Sequence, residues 1–452
     1  MFKNKNIHMI GIGGISMSGI AQILLSYNCH VTGYDLKESN ITKELINKNI
    51  EVNYDINLDN VKNADIIVYT AAIDENHEEL VYAKKLNKEI YERSTFFGLM
   101  MKDYKNVLCI SGTHGKSTTS GMISSIFIEA NLNPTIQIGA MLPLINGNNH
   151  VGDNKYFIAE ACEYVDSFLD FFPTSEIILN IDNDHLDYFH NLDNIIYSFK
   201  RYINLLPENG ILVINNDDEN TLIASKDYNR KKITFGITNT SMYMAKNIEF
   251  DDSGYGNYDL FINNKYTDKI YLSVSGIHNI YNSLAAISLS HQYISDLNII
   301  KNALKNYHGV GRRFEYIGKY NNALIYDDYA HHPSEIKTTY ESVMKTKHHK
   351  SWAIFQSHTY SRTKDHLDEF ANILAKFDNI VIAKIYPARE KNIYNVQEED
   401  LVNLIKEKNN NVIYIDDFNK IVNYLKENIE ENDLVITIGA GPINEVAKQL
   451  KE

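Results

Sequence analysis

The stretch Val107–Gly121, VLCISGTHGKSTTSG, runs from an apolar segment into a glycine-bounded Lys-Ser-Thr. Val107 to Ile110 predicts a short buried strand, and Lys116 onward predicts the start of a helix. Such a strand–turn–helix junction gathers backbone N–H groups at a helix N-terminus, where a phosphate can be held. Lys116 is placed to reach the outer phosphates, and the Ser117 hydroxyl to ligate Mg²⁺. The strict Walker spacing fails, because it needs a glycine five residues before Gly115 and that position is Ile110. Read locally, Gly112, Thr113, His114, Gly115, Lys116, Ser117 and Thr118 form either a nucleotide loop or an ordinary tight turn capping a helix. The rest of the chain has to decide.

At 452 residues the chain is too long for one ordinary core, and roughly three domains of about 150 residues are expected. It is 44% hydrophobic and 23% charged, with a mean hydropathy of −0.32, a soluble globular profile. The longest apolar runs are strand-sized, well short of the ~20 residues of a membrane span. The opening MFKNKNIHMIGIGG passes from a polar start straight into a strand and a glycine turn, unlike a signal peptide. A cytoplasmic protein without membrane insertion is therefore expected. Cys29, Cys109 and Cys162 have no ligand spacing, and the last two lie in apolar or small-residue stretches that predict reduced core packing. The net charge of −14 argues against nucleic acid as a partner. An anionic substrate must then be met by local cationic pockets.

Three segments follow one another. Residues 1–105 alternate strands and helices in the manner of a parallel sheet with crossover helices: IHMIGIGG, HVTGYD, ADIIVYTAA, KEIYERS. Residues 106–308 begin at the phosphate-type loop and contain KYFIAEAC, EIILNID and GILVINNDD, apolar strands that end in polar residues. Side chains at such carboxyl ends line the ligand crevice of parallel sheets. A more polar stretch, 228–273, predicts an antiparallel meander. Residues 309–452 repeat the pattern in ALIYDDYAHHP, SWAIFQSHTYSRT, NIVIAKIYPARE, NVIYIDD and DLVITIGAG.

The chemistry-bearing groups fall at these strand ends. GIGGISMSG, Gly11–Gly19, precedes a predicted helix, with Asp35 closing the next strand; Ser16 stands where a dinucleotide fingerprint needs glycine. The glycines still let a diphosphate approach the backbone. AEACEYVDSF places Glu160 and Glu163 beyond a strand 155–159, and NIDNDHLDYF places Asp184 and His185 beyond a strand 176–181. One carboxylate, one imidazole and the Ser117 hydroxyl suit Mg²⁺, which takes few protein ligands. SGIHNIYNSLAA sets His278, Asn279 and Asn282 around a helix start, where Asn reads a purine edge or merely caps the helix. GVGRRFEY supplies Arg312 and Arg313, whose forks suit phosphate. YDDYAHHPSEI concentrates Asp327, Asp328, Tyr329, His331 and His332, and FQSHTYSRTK adds His358, Tyr360, Arg362 and Lys364. Two such polar clusters after apolar strands read as the walls of a substrate pocket.

Taken in order, GTHGKSTT, NDHLDYF, HNIYNSLAA, RRFE, DDYAHHPSEI, SHTYSRTK and YPAREK resemble the motifs of the Mur ligase family, from Gly11 to the TIGAG at Thr437–Gly441. The alanine-adding members match most closely, and the shortened phosphate loop is the family's own form. The resemblance implies an α/β protein of three domains, each with a mainly parallel sheet and flanking helices. These are a Rossmann-like UDP-sugar-binding domain (1–105), a P-loop-type central ATPase domain (106–308) and a Rossmann-like amino-acid-binding domain (309–452).

It implies ATP and Mg²⁺ as cofactors, UDP-N-acetylmuramate and L-alanine as partners, and a monomer or homodimer. Gly13, Gly14, Thr70 and Arg93 would contact the UDP part, with Glu163 also at the substrate. Lys116 would hold phosphates, and Ser117, Glu160 and His185 would serve Mg²⁺. His278, Asn279 and Asn282 would take adenine, Asp328 the ribose, and Arg313 would lie near the phosphates. Tyr329, His331, His358 and Arg362 would form the alanine pocket.

The implied reaction phosphorylates the muramoyl carboxylate to an acyl phosphate, which the alanine amine attacks, with His185 or His331 accepting a proton. Domain closure would keep water from the acyl phosphate. Ser357, Tyr34 and Thr70–Ala71 depart from the family's usual residues and bear on fine specificity. Lys200, fifteen residues after His185, sits where sister ligases carry a carbamylated lysine, but it reads as an ordinary helix-surface residue. Rival readings are a murein-peptide ligase, an NAD-dependent oxidoreductase using the first glycine loop, and a non-catalytic nucleotide-binding module.

Overall fold

The computed structural model describes residues 2–251, 254–388 and 390–451, with residue 187 described by its backbone alone. Arg389 of the YPAREK motif lies outside the described residues. The first sheet contains β1 (Asn6–Ile10), β2 (His30–Tyr34), β3 (Glu51–Asn53), β4 (Ile66–Tyr69) and β5 (Glu89–Glu92), in the order β3-β2-β1-β4-β5. All its pairings are parallel. Ile7, Met9 and Ile10 of β1 are fully buried, as the central strand of a sheet covered on both faces requires. The sequence reading missed β3, whose three half-exposed residues carry no apolar alternation.

The second sheet contains β6 (Asn106–Ser111), β7 (Pro134–Leu142), β8 (Gly147–His150), β9 (Asp153–Glu160), β10 (Ser175–Ile178), β11 (Ile211–Asn215), β12 (Lys232–Gly236), β13 (Tyr243–Phe250), β14 (Tyr255–Ile262) and β15 (Lys265–Ser275). Its order is β15-β14-β13-β12-β11-β10-β6-β9-β7-β8. β6 lies between β10 and β9 and is parallel to both. The antiparallel meander expected over 228–273 is found in its later part, where β13, β14 and β15 are successive neighbours joined by short turns; its start needs correction, because β12 pairs parallel with β11, and β13 parallel with β12. β10 ends at Ile178, three residues earlier than predicted, because the following residues leave the ladder and Asn180 holds the loop after β6.

The third sheet contains β16 (Glu315–Tyr320), β17 (Ala323–Asp328), β18 (Ser351–Phe355), β19 (Asn379–Ala383), β20 (Val412–Ile415) and β21 (Leu434–Ile438), ordered β16-β17-β21-β18-β19-β20. Only the β16–β17 pairing is antiparallel. Alternate side chains of β18 enter opposite cores. Ala353 and Phe355 pack with Phe370, Leu374 and Ile405, and Trp352 and Ile354 pack with Ile421, Leu425 and Val446. That period of two makes the layer doubly wound. β21 enters the sheet between β17 and β18, so the carboxyl ends of these three strands meet at a topological switch point.

The chain forms two compact units, residues 1–246, 259–270 and 281–305, and residues 247–258, 271–280 and 306–452. Within the first unit the first two sheets share one core. There Phe97 meets Phe157 and Phe171 edge-on, each at 5.4 Å, and Tyr104 stacks on Phe157 at 4.7 Å. Cys29 and Cys109 are buried, whereas Cys162 is exposed. The core packing expected of Cys162 fails because the chain has left β9 at Glu160 and turned outward. Among the described residues no helix is long and apolar enough to cross a membrane.

Candidate active site

In the first unit, β6 delivers the chain to the loop Gly112–Gly115 and the helix Lys116–Glu129. Gly115 has φ +86°, and a Cβ there would stand 2.5 Å from Asn282 Oδ1, so glycine alone fits without strain. The first N–H groups of a helix lack intrahelical acceptors, and Gly115 brings no side-chain cap to them. Asn180 pins the loop from the end of β10. Its Oδ1 accepts from the His114 N–H at 2.8 Å, its Nδ2 donates to the His114 carbonyl at 3.1 Å, and its carbonyl accepts from the Thr113 N–H at 3.1 Å.

Lys116 Nζ donates to the carbonyls of Gly112 at 2.6 Å and Thr113 at 3.1 Å. It also meets both carboxylate oxygens of Glu163, at 3.2 and 3.0 Å. Burial disfavours the lysine's charge, but the Glu163 carboxylate outweighs it and holds the ammonium above its ordinary pKa. The Ser117 hydroxyl lies 3.1 and 2.9 Å from the two oxygens of Glu160, the last residue of β9. Glu160 is steadied by the Gly139 N–H at 2.8 Å. A hydroxyl beside a carboxylate is a hard-oxygen pair of the kind Mg²⁺ accepts.

Among the described residues, no three or more His, Cys, Asp or Glu side chains are grouped to hold a metal. His185, with φ +54°, caps the short helix Leu186–Phe189. Its ring lies 4.6 Å from that of Tyr164, and its Nε2 is 3.8 Å from the Asp184 carboxylate. Of the three expected metal ligands, Ser117 and Glu160 touch, while His185 makes its contacts with Tyr164 and Asp184. Lys200 is ion-paired with Asp227 at 2.5 Å on a half-exposed surface.

The first glycine loop follows β1. Gly11 has φ +84°, and a Cβ there would come within 2.5 Å of Thr70 Cγ2. The Gly13 N–H donates to Asp35 at 2.8 Å. Gly14 precedes the helix Ile15–Ser26 without a side-chain cap, and Arg93 Nη1 lies 3.5 Å from Ser16 Oγ. Thr70 and Arg93 directly follow β4 and β5, so these residues gather at the carboxyl edge of the first sheet.

The second unit separates the paired arginines. Arg312 Nε bonds the buried Asp327 at 3.0 Å, and its Nη2 donates to the Gly439 carbonyl at 2.6 Å. Its guanidinium lies 4.8 Å from the Tyr329 ring centre. Arg313 lies 5.6 Å from the same ring and 3.7 Å from Glu335. Asp328 accepts from the Thr339 hydroxyl at 2.9 Å and the Ala330 N–H at 3.0 Å. Burial pushes its carboxyl up to about 6, against the pull of Arg313 and the Thr339 hydrogen bond.

His331 Nδ1 is 3.0 Å from the Tyr329 carbonyl and 3.3 Å from Glu335. Both neighbours are acceptors, so Nδ1 carries the proton and Nε2 offers a lone pair. His358 is the complement: its Nδ1 lies 3.2 Å from Arg362 Nη1, which only donates, so its proton sits on Nε2. The two rings are 6.0 Å apart. Burial lowers the pKa of both, with Arg362 adding to the effect, and His358 falls to about 4. His278 is likewise held near 4 by burial and by the charges of Lys345 and Arg313. Asn279 donates to the Ser275 carbonyl at 2.8 Å.

Residues 6–105 match the Mur ligase family, catalytic domain; residues 110–290 match the Mur ligase middle domain; residues 312–441 match the Mur ligase, glutamate ligase domain. The UDP-N-acetylmuramate–L-alanine ligase of Acetivibrio thermocellus is 44% identical over 447 residues, covering 99% of this chain and 95% of that one. The chain belongs to the Mur ligase family. The protein of the same name from Caldanaerobacter subterraneus subsp. tengcongensis is 44% identical over 450 residues, covering 100% and 98%. Among solved structures, the UDP-N-acetylmuramate-alanine ligase of Thermotoga maritima aligns with a TM-score of 0.84 at 25% identity, covering 99% and 98%. A murein peptide ligase from Psychrobacter arcticus aligns at 0.72 and 22% identity over 99% and 98%, a likeness of fold.

Some residues that organise this Mur ligase site carried no signal by themselves. Asn180 braces the loop Gly112–Gly115, Glu335 sets the His331 tautomer, and Glu390 accepts from the Ser361 N–H at 2.9 Å beside Arg362. Each lies in or next to a polar strand-end motif. Their partners are distant in sequence, or on another turn, and the spacing does not reveal them.

Proposed function

We propose that this chain ligates L-alanine to the carboxylate of UDP-N-acetylmuramate at the expense of ATP, giving ADP and phosphate, in peptidoglycan precursor synthesis. The observation that carries the reading is its 44% identity, end to end, to proteins named for that reaction. The site chemistry supports it. A carboxylate is a poor acyl donor, so its oxygen attacks the γ-phosphorus of ATP, ADP departs, and an acyl phosphate remains. The amine then attacks the carbonyl carbon, loses a proton, and phosphate leaves as the amide forms.

Lys116 and the helix N-terminus behind Gly115 would hold the phosphates. Ser117 and Glu160, with His185, would hold Mg²⁺, which when bound neutralises developing phosphate charge. Gly13, Gly14, Thr70 and Arg93 would bind the UDP part, and His278, Asn279, Asn282, Asp328 and Arg313 the nucleotide. Tyr329, His358 and Arg362 would orient L-alanine, and His331 Nε2 would accept the ammonium proton. A cytoplasmic location belongs to the same reading, as does a monomer or homodimer.

The test is phosphate release from ATP with UDP-N-acetylmuramate, comparing L-alanine, glycine, L-serine and a tripeptide, with and without Mg²⁺. Release that needs sugar nucleotide, metal and L-alanine together is expected. Release only with the tripeptide would move the assignment to a peptide ligase.

A further inference from the structure

Lys116 has three ammonium protons, and four oxygens already surround them: two loop carbonyls and both carboxylate oxygens of Glu163, all within 3.2 Å. The lysine's donor capacity is therefore filled before any phosphate arrives. Glu163 is 2% exposed, and among the described residues its carboxylate has no side-chain partner other than Lys116. The carboxylate takes the lysine side-on through two oxygens, as two oxygens of a phosphate would. A neighbouring carboxylate, Glu160, is engaged separately with Ser117 and the Gly139 N–H, so the two acids of AEACE have divided tasks.

We propose that Glu163 is a resident anion that occupies Lys116 in place of phosphate and sets the loop's affinity for nucleotide. This rests on the reading of Lys116 as the phosphate-holding lysine. Binding is then an exchange. A phosphate takes Lys116, and Glu163 gives up that cation within a buried setting, so part of the phosphate's attraction is offset by the loss. A singly charged competitor gains little from such an exchange, whereas the polyanionic tail of a nucleoside triphosphate gains much. Glu163 thereby acts through Lys116 as a positioning residue that favours highly charged ligands.

The experiment is calorimetric titration of the full chain with ATP and Mg²⁺, without sugar nucleotide or amino acid. Wild type is compared with Glu163→Gln, Glu163→Ala, Lys116→Ala and the Lys116→Ala/Glu163→Gln double variant. Both Glu163 variants are expected to bind ATP about tenfold more tightly, the scale of one charge-assisted hydrogen bond. The gain should vanish in the Lys116→Ala background. A thermal melt accompanies each variant, and Glu163→Ala carries the comparison if Glu163→Gln does not fold. Unchanged or weaker binding by the folded Glu163 variants overturns the inference and leaves the proposed function standing. A gain of equal size without Lys116 overturns it too. Wild type that binds no ATP overturns both.

Discussion

Ser117 and Glu160 are 43 residues apart in sequence, yet the hydroxyl lies 2.9 Å from the carboxylate. The contact exists because β6 and β9 are parallel neighbours, paired from Asn106↔Tyr156 to Ile110↔Glu160. One strand hands its chain to the helix that opens with Lys116, and the other ends on the acid. With Glu160→Gln, the geometry is kept but the negative charge beside Ser117 is lost. The Mg²⁺ concentration for half-maximal phosphate release should rise by about tenfold or more, as for other altered metal environments. A Mg²⁺ titration of turnover checks this, and an unchanged midpoint would remove Glu160 from the metal site.

Arg362 determines where the His358 proton sits, since the guanidinium can only donate to His358 Nδ1. Arg362→Ala should therefore free Nδ1 and remove a neighbouring positive charge. The His358 pKa should climb from about 4 toward the ordinary imidazole range, although burial, the larger cause, remains. Proton NMR titration of the ring reads this shift directly. The KM for L-alanine should rise by about tenfold or more, the worth of a lost charged hydrogen bond, while ATP affinity in the absence of L-alanine stays as it was.

Asp328 titrates near 6 because it is buried. Its folded pKa lies above the unfolded value, so the stability it contributes is fully present below about 4 and is lost as pH rises through about 6. Urea unfolding of wild type between pH 4 and 7.5 should show that loss relative to Asp328→Asn, which cannot titrate. In the other direction, only the ionised carboxylate is a strong acceptor for a ribose hydroxyl. ATP binding by wild type should thus strengthen between pH 5 and 7, and binding by Asp328→Asn should stay flat over the same interval.

Arg312 is a structural cation. Its partners are the buried Asp327 and the Gly439 carbonyl, and Asp327 also accepts from the Thr437 hydroxyl at 2.6 Å. Arg312→Met would leave Asp327 buried beside an apolar chain, and a loss of about 3 kcal/mol is expected for an orphaned buried charge. Chemical denaturation measures it. The double variant Arg312→Met/Asp327→Leu should recover most of the loss, and a failure to recover would mean that the pair does not act as a unit.

The fold class and the order of the chemistry were legible in the chain itself. Apolar runs such as Val107–Ile110 and Leu434–Ile438, short and bounded by turn residues, read as buried strands, and each is followed by polar residues that a parallel sheet presents at its carboxyl edge. The local period of hydrophobicity carries that information, and neighbouring residues suffice to read it. The same local signal failed at β3 and β16, edge strands whose side chains are only half buried, and at the start of 228–273, where the meander of β13, β14 and β15 concealed the parallel pairing of β12 with β11 and β13.

Partnership was decided by the tertiary structure alone. Arg312 and Arg313 are adjacent and chemically identical, but one is held by Asp327 and the other faces Glu335. Glu160 and Glu163 are three residues apart, but one meets Ser117 and the other meets Lys116. Hydrogen bonds and ion pairs act over about 3 Å, and which groups come that close depends on strand order and register. A sequence names the groups; the packing of strands selects the pairs.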